Sequence, residues 1–114
     1  MHRSTRSIER NHPVSTHMVV ATFRDGTDMT EVFAVVAEER ARVAELQQEG
    51  RLASVHLAPE RGTVFVETTS PDADAAAETV RSLPMAQWWD LDVFTLSAPT
   101  NPATAGWSVP GGAA

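Results

Sequence analysis

The stretch DMTEVFAVVAEERARVAELQQEG, residues 28–50, decides how the rest of the chain is read. At about 100° per residue, Met29, Val32, Phe33, Val36, Val43 and Leu46 fall on one side of a helix, while Glu31, Glu38, Arg42, Glu45 and Glu49 fall on the other. The pattern predicts one amphipathic helix of about six turns, with an apolar stripe wide enough to cover a sheet. Asp28 or Thr30 can cap its start by accepting from an unpaired backbone N–H. Gly50 can take the left-handed conformation that ends a helix. Glu38 and Arg42, four apart in acid-before-base order, read as a surface pair. Two charged residues, Glu39 and Arg40, fall inside the arc of the stripe. Charges there must satisfy one another, lean out at the stripe's edge, or line a cavity.

Outward from this helix, strand and turn signals alternate. His17 to Arg24, HMVVATFR, is rich in β-branched and aromatic residues and predicts a strand, closed by the Asp25-Gly26 turn. Arg51 to Ala58 predicts a second strand, with Ala53, Val55 and Leu57 on one face and Leu52, Ser54, His56 and Ala58 on the other. Pro59-Glu60-Arg61-Gly62 reads as the turn into a third strand, Thr63 to Thr69, antiparallel to the second. Ser70-Pro71-Asp72 reads as a helix start, with serine as cap and proline at the first position. That helix carries a small-residue stripe of Ala73, Ala76, Ala77, Val80 and Leu83, and Pro84 stops it. Such a helix can lie close to the sheet or leave room for a ligand. Trp88 to Leu96, WWDLDVFTL, is the fourth strand. Its Asp90 and Asp92 interrupt an otherwise apolar run, so at least one of them should face water or an arginine.

The order strand, helix, strand, strand, helix, strand predicts an α+β, ferredoxin-like βαββαβ domain with a four-stranded antiparallel sheet. Its helices cover one face of the sheet only, yet the strands are apolar on both sides. That mismatch predicts a homodimer or a larger homo-oligomer built by sheet-to-sheet packing. Residues 1–16 read as a polar arm, 17–98 as the domain, and 99–114 as a tail rich in Pro, Gly and Ala. Within that tail Trp107 is a candidate anchor on a neighbouring subunit.

Composition narrows the function. The 114 residues suit one domain. The formal net charge is −6, distributed as +2 over residues 1–12 and −8 over the remainder, which argues against nucleic acid as a partner. There is no cysteine, so disulfides and a thiolate nucleophile are excluded. All nine basic residues are arginine, which excludes a lysine Schiff base. No segment approaches the ~18 apolar residues of a membrane span. No apolar secretory core marks the N-terminus, so the expected location is cytoplasmic. No metal-ligand spacing stands out: His12 and His17 are five apart in an irregular stretch, which is weak. Neither a phosphate-cradling glycine loop nor a nucleophile elbow is present. If the protein is an enzyme, its expected chemistry uses no cofactor and no metal.

Together the run AEERARVAELQQEG (37–50), the hairpin after it and LPMAQWWDLDV (83–93) resemble the muconolactone isomerase-like family, most recognisably in the closing Leu-Pro-x-x-x-x-x-Asp-x-x-Val segment. The resemblance covers residues 18–98. It implies a ferredoxin-like dimeric α+β barrel, often in larger oligomers, whose type member shifts a ring double bond in an unsaturated lactone by proton transfer without a cofactor. Glu39 and Arg40 match the Glu-Lys pair of the family's first helix. After Leu52 the sequence departs: Ser54, Val55, His56 and Leu57 stand where the isomerase has His-Leu-Trp-Arg. Losing that basic residue implies a substrate other than muconolactone, such as a polyketide-like molecule of bacterial secondary metabolism.

Glu39, Arg40 and His56 form the candidate catalytic set. Abstracting a proton next to a carbonyl needs a base nearer neutrality than free glutamate, at ~4.3. Burial against Val36 and Val43 would raise Glu39, and a close Arg40 would lower it. His56, beside the small Ser54 and Ala58, has room to donate to an enolate oxygen, or it is an interface or core histidine. Trp88, Trp89, Val36 and Phe65 are the candidate substrate-binding residues. The two tryptophans serve either as a flat wall for a ring or as core packing. Three functions stay open: a cofactor-independent isomerase or cyclase acting on a small molecule, a cofactor-free oxygenase of the same barrel architecture, and a non-catalytic binding or assembly protein.

Overall fold

Four strands and three α-helices alternate in the computed structural model, which describes residues 13–97. In chain order they are β1 (Ser15–Phe23), α1 (Met29–Ala34), α2 (Val36–Gln48), β2 (Leu52–Ala58), β3 (Thr63–Ser70), α3 (Ala73–Arg81) and β4 (Trp89–Thr95). Short 3-10 turns at Pro59–Arg61 and Pro84–Trp88 precede β3 and β4. The strands form one antiparallel sheet in the order β2-β3-β1-β4, the ferredoxin-like arrangement expected from the element pattern. Residues 1–12 of the N-terminal arm, with His2 and His12, and the tail with Trp107 lie outside the described residues. β1 nonetheless begins at Ser15, ahead of the expected boundary, because Ser15 and Thr16 pair with Ser70 and Thr69.

Side-chain alternation gives the sheet two unlike faces. Val19 and Ala21 of β1, Val64 and Val66 of β3, and Trp89 of β4 turn toward the helices and form the core with Leu46 and Val80. Met18, Val20 and Phe65 lie on the opposite face, half-buried, with Phe94 exposed beside them. β2 departs from simple alternation. Leu52 pairs with Thr68 and Val55 with Val66, so one extra residue on β2 forms a bulge between them. The bulge turns Leu52 to the helix side together with Val55 and Leu57. Strict alternation had assigned Leu52 to the other face.

The long helix expected over residues 28–50 is in fact two. Asp28 caps α1 by accepting from the Thr30 N–H at 2.9 Å, and Gly50 takes φ 79° beyond α2. Between them Val35 leaves helical geometry, with φ −107° and ψ 13°. The break falls where Val35 and Val36 stand together, two β-branched side chains that fit a helix poorly. Arg42 reaches Glu45 at 2.9 Å and the Ser82 hydroxyl, tying α2 to the end of α3 rather than pairing with Glu38.

α3 lies close over β3, β1 and β4, as its alanines allow. Its cap is Asp72, which accepts from the Ala75 N–H at 2.8 Å. Ser70, the residue the sequence pattern favoured, ends β3 and is buried. Ala73 is exposed, and the buried stripe runs through Ala76, Ala77, Thr79 and Val80. No helix among the described residues is long and apolar enough to cross a membrane.

Candidate functional site

While α3 seals one part of the sheet, α1 and α2 stand off the other. Between them and the strands lies a cavity of about 830 Å³, in the upper part of the ~300–1,000 Å³ range of small-molecule sites. It sits at the end of the sheet where β1 and β2 finish and β3 and β4 begin. Phe23, Leu57, Val64 and Trp89 supply its sheet side, and Val36 and Val43 part of its helix side. Phe33 and Leu57, each about two-thirds exposed (67% and 68%), form an apolar rim. The lining is largely hydrocarbon, with Glu39 as its one carboxylate among the described residues.

The environment of Glu39 is unusual for a helix-surface acid. Its Oε1 accepts from the backbone N–H of Met85 at 2.9 Å. Oε2 has no hydrogen-bond partner among the described residues. The Met85 donor comes from the 3-10 turn that Pro84 begins, so the closing Leu-Pro segment aims a backbone N–H at α2. Burial raises the Glu39 pKa above its ordinary value of 4.5, and the Met85 hydrogen bond only partly offsets this. Arg40 also lines the cavity but is exposed. The ion pairs among the described residues are Arg24–Asp90, Arg42–Glu45 and Arg51–Glu49; Arg40 and Glu39 do not form one. The competition between burial and a neighbouring cation therefore resolves in favour of burial.

The fold divides the residues singled out from the sequence. Glu39, Arg40, Val36 and Trp89 share the cavity. His56 is exposed on the opposite face of the sheet, where it pairs across the ladder with Phe65. Within one chain neither of those two reaches the space around Glu39, because alternation along β2 and β3 turns them away. Trp88 ends the 3-10 turn, half-buried and outside the cavity lining. The fourth strand starts one residue later than expected, at Trp89.

Sequence reading passed over Arg24. Its guanidinium donates to the Gln87 carbonyl at 2.8 Å, to the Trp89 carbonyl at 2.9 Å and to Asp90 Oδ1 at 3.0 Å. Asp90 thus meets an arginine, as its place in an apolar run suggested, and the backbone at the start of β4 is held from outside the cavity. A fork-shaped donor facing one segment is a tertiary feature; only the aspartate hinted at it. Among the described residues no group of three or more His, Asp or Glu side chains is arranged to hold a metal ion.

Compared with known proteins, the chain matches the family model of muconolactone delta-isomerase over residues 16–101. No curated protein matches it.

Proposed function

This chain belongs to the muconolactone delta-isomerase family, and from that premise we propose that it is a cofactor-independent isomerase or cyclase moving protons on a lactone or polyketide-like small molecule. The observation that carries this reading is Glu39: a carboxylate in a largely apolar cavity wall, held at one oxygen by the Met85 N–H and raised in pKa by burial. A base of that kind is suited to proton abstraction at near-neutral pH.

In the proposed reaction Glu39 takes a proton from the carbon next to a carbonyl. The C–H electrons move into the conjugated system and onto the carbonyl oxygen. The new carboxylic acid then returns the proton to another carbon of the same system, so bonds shift with no net redox change. In this reading Arg40, an exposed lining residue, holds an anionic group of the substrate. The largely hydrocarbon lining favours a ring-bearing ligand over a small polar one, in keeping with the departure of residues 54–57 from the isomerase pattern. Secondary metabolism is the setting that such a substrate suggests. We also take the working form to be a homodimer joined through the bare sheet face, where Met18, Val20, Phe65 and Phe94 lie together.

Exchange of substrate protons for deuterium tests the reading whatever the final product is. Unsaturated lactones, muconolactone included, and aromatic ketones of polyketide type are incubated with the protein in D2O and followed by NMR. Wild-type protein should wash out the proton next to the carbonyl of at least one class. Glu39→Gln, which can still accept from Met85, should slow this by about 10² or more with the fold intact. Exchange at an undiminished rate in that variant would remove Glu39 as the base.

A further inference from the structure

Trp89 is 3% exposed, and its indole Nε1–H has no hydrogen-bond partner among the described residues. An indole nitrogen can only donate. Leaving such a donor buried and unpaired carries its full desolvation penalty, and native proteins rarely tolerate this without a reason. The surroundings supply packing but no acceptor. Phe23 meets the Trp89 ring edge to face, with centroids 5.9 Å apart and an interplanar angle of 73°. The Trp89 carbonyl is itself taken by Arg24. The same ring borders the cavity that contains Glu39.

We propose that the missing acceptor is the substrate's carbonyl oxygen, and that Trp89 Nε1–H is the donor that holds it as Glu39 removes the neighbouring proton. The inference rests on the assignment of Glu39 and its cavity as the reaction site. As the C–H bond breaks and the Glu39 O–H bond forms, negative charge collects on that oxygen. A donor in a largely apolar wall stabilises it more in the transition state than in the ground state. Proton return to a distal carbon restores the carbonyl, and the indole keeps its own proton throughout. His56 cannot take this part within one chain, since it lies across the sheet. The indole nitrogen itself has no exposed surface, so a ligand reaches it only if neighbouring side chains shift. Met29 and Met85, unbranched and adaptable, belong to that lining.

The test uses the full chain with 1-tetralone as probe and tetralin, the same skeleton without oxygen, as control. Of the three tryptophans, the indole resonance of Trp89 is identified by its loss in Trp89→Phe. In wild-type protein 1-tetralone should move that N–H resonance downfield, and tetralin should not. Trp89→Phe should lose preference for the ketone over the hydrocarbon by about fivefold, whereas a purely structural role would weaken both ligands alike. If that variant fails to fold, Trp88→Phe and Trp107→Phe assign the other two indoles, and the remaining resonance of the wild-type protein decides. Equal shifts with both probes, a preference unchanged in Trp89→Phe, or no response to either probe at millimolar concentration would overturn the proposal. Glu39→Gln separates the two ideas. If only the base assignment fails, deuterium exchange survives in Glu39→Gln and the ketone still shifts Trp89. If only the Trp89 assignment fails, exchange stays sensitive to Glu39 and the shift is absent.

Discussion

Glu39 is where two opposing influences on one carboxyl can be compared. A backbone N–H favours its ionised form, and removal from water disfavours it; the second is larger. A carboxyl whose folded-state pKa lies above its unfolded value binds its proton more tightly in the folded protein. Its contribution to stability is fully present below the unfolded pKa and is lost as pH rises through the folded one. Glu39→Gln, which does not titrate, should therefore gain on the wild type as pH increases from 4.5 toward neutrality. Urea unfolding of both proteins across that interval measures the gap, and a gap independent of pH would contradict the raised pKa. The same ionisation predicts that proton exchange in the substrate rises with pH over this range in the wild type, because only the carboxylate is a base.

At the scale of elements, the cavity exists because neighbouring helices pack differently. α3 buries alanines and lies close to the strands, whereas α1 and α2 present larger side chains and are interrupted at Val35. The start of β4 is then secured from the far side by Arg24. Arg24→Gln removes the ion pair with Asp90 and most of the fork onto the Gln87 and Trp89 carbonyls. It should destabilise the fold by about 1 kcal/mol, a low figure for charged hydrogen bonds because the arginine is half in water. It should also loosen Trp89, seen as a shifted or broadened indole resonance. The Asp72 cap makes a separate, simpler case. Asp72→Ala should cost ~1 kcal/mol in chemical denaturation and leave the cavity and its ligands untouched, since the cap lies at the start of the opposite helix.

For the whole molecule the two sheet faces set the terms. One carries the core and the cavity. The other shows Met18, Val20, Phe65 and Phe94, the last 48% exposed, amid the polar Ser54, His56 and Glu67. This band is the face through which the proposed homodimer would form. If two copies meet there, Val20→Glu brings like charges together at the centre of the contact. The dimer dissociation constant should then rise by about a hundredfold or more, measured by sedimentation equilibrium, with α-proton exchange as the parallel readout. A wild-type protein that sediments as a monomer at micromolar concentration would end the dimer reading.

The order of elements, the Asp28 cap, the glycine stop at Gly50, the helix-ending Pro84 and the family relationship were all legible in the chain, because each depends on residues a few positions apart. The anomalous place of Glu39 was legible for the same reason: a helix's angular step is local. The specific partners were not. Whether Arg40 neutralises Glu39 or leaves it depends on how far a helix stands from a sheet. Whether Leu52 faces the core turns on a single bulged residue in β2, and whether His56 joins Glu39 turns on the alternation that carries its side chain to the opposite face. The grip of Arg24 on residues 87–90 and the Met85 N–H at Glu39 join segments 46 to 66 positions apart, and the unpartnered indole of Trp89 depends on what the fold packs around it. They exist only once the sheet has closed, because a cavity is the space left between elements and no short stretch of sequence contains it.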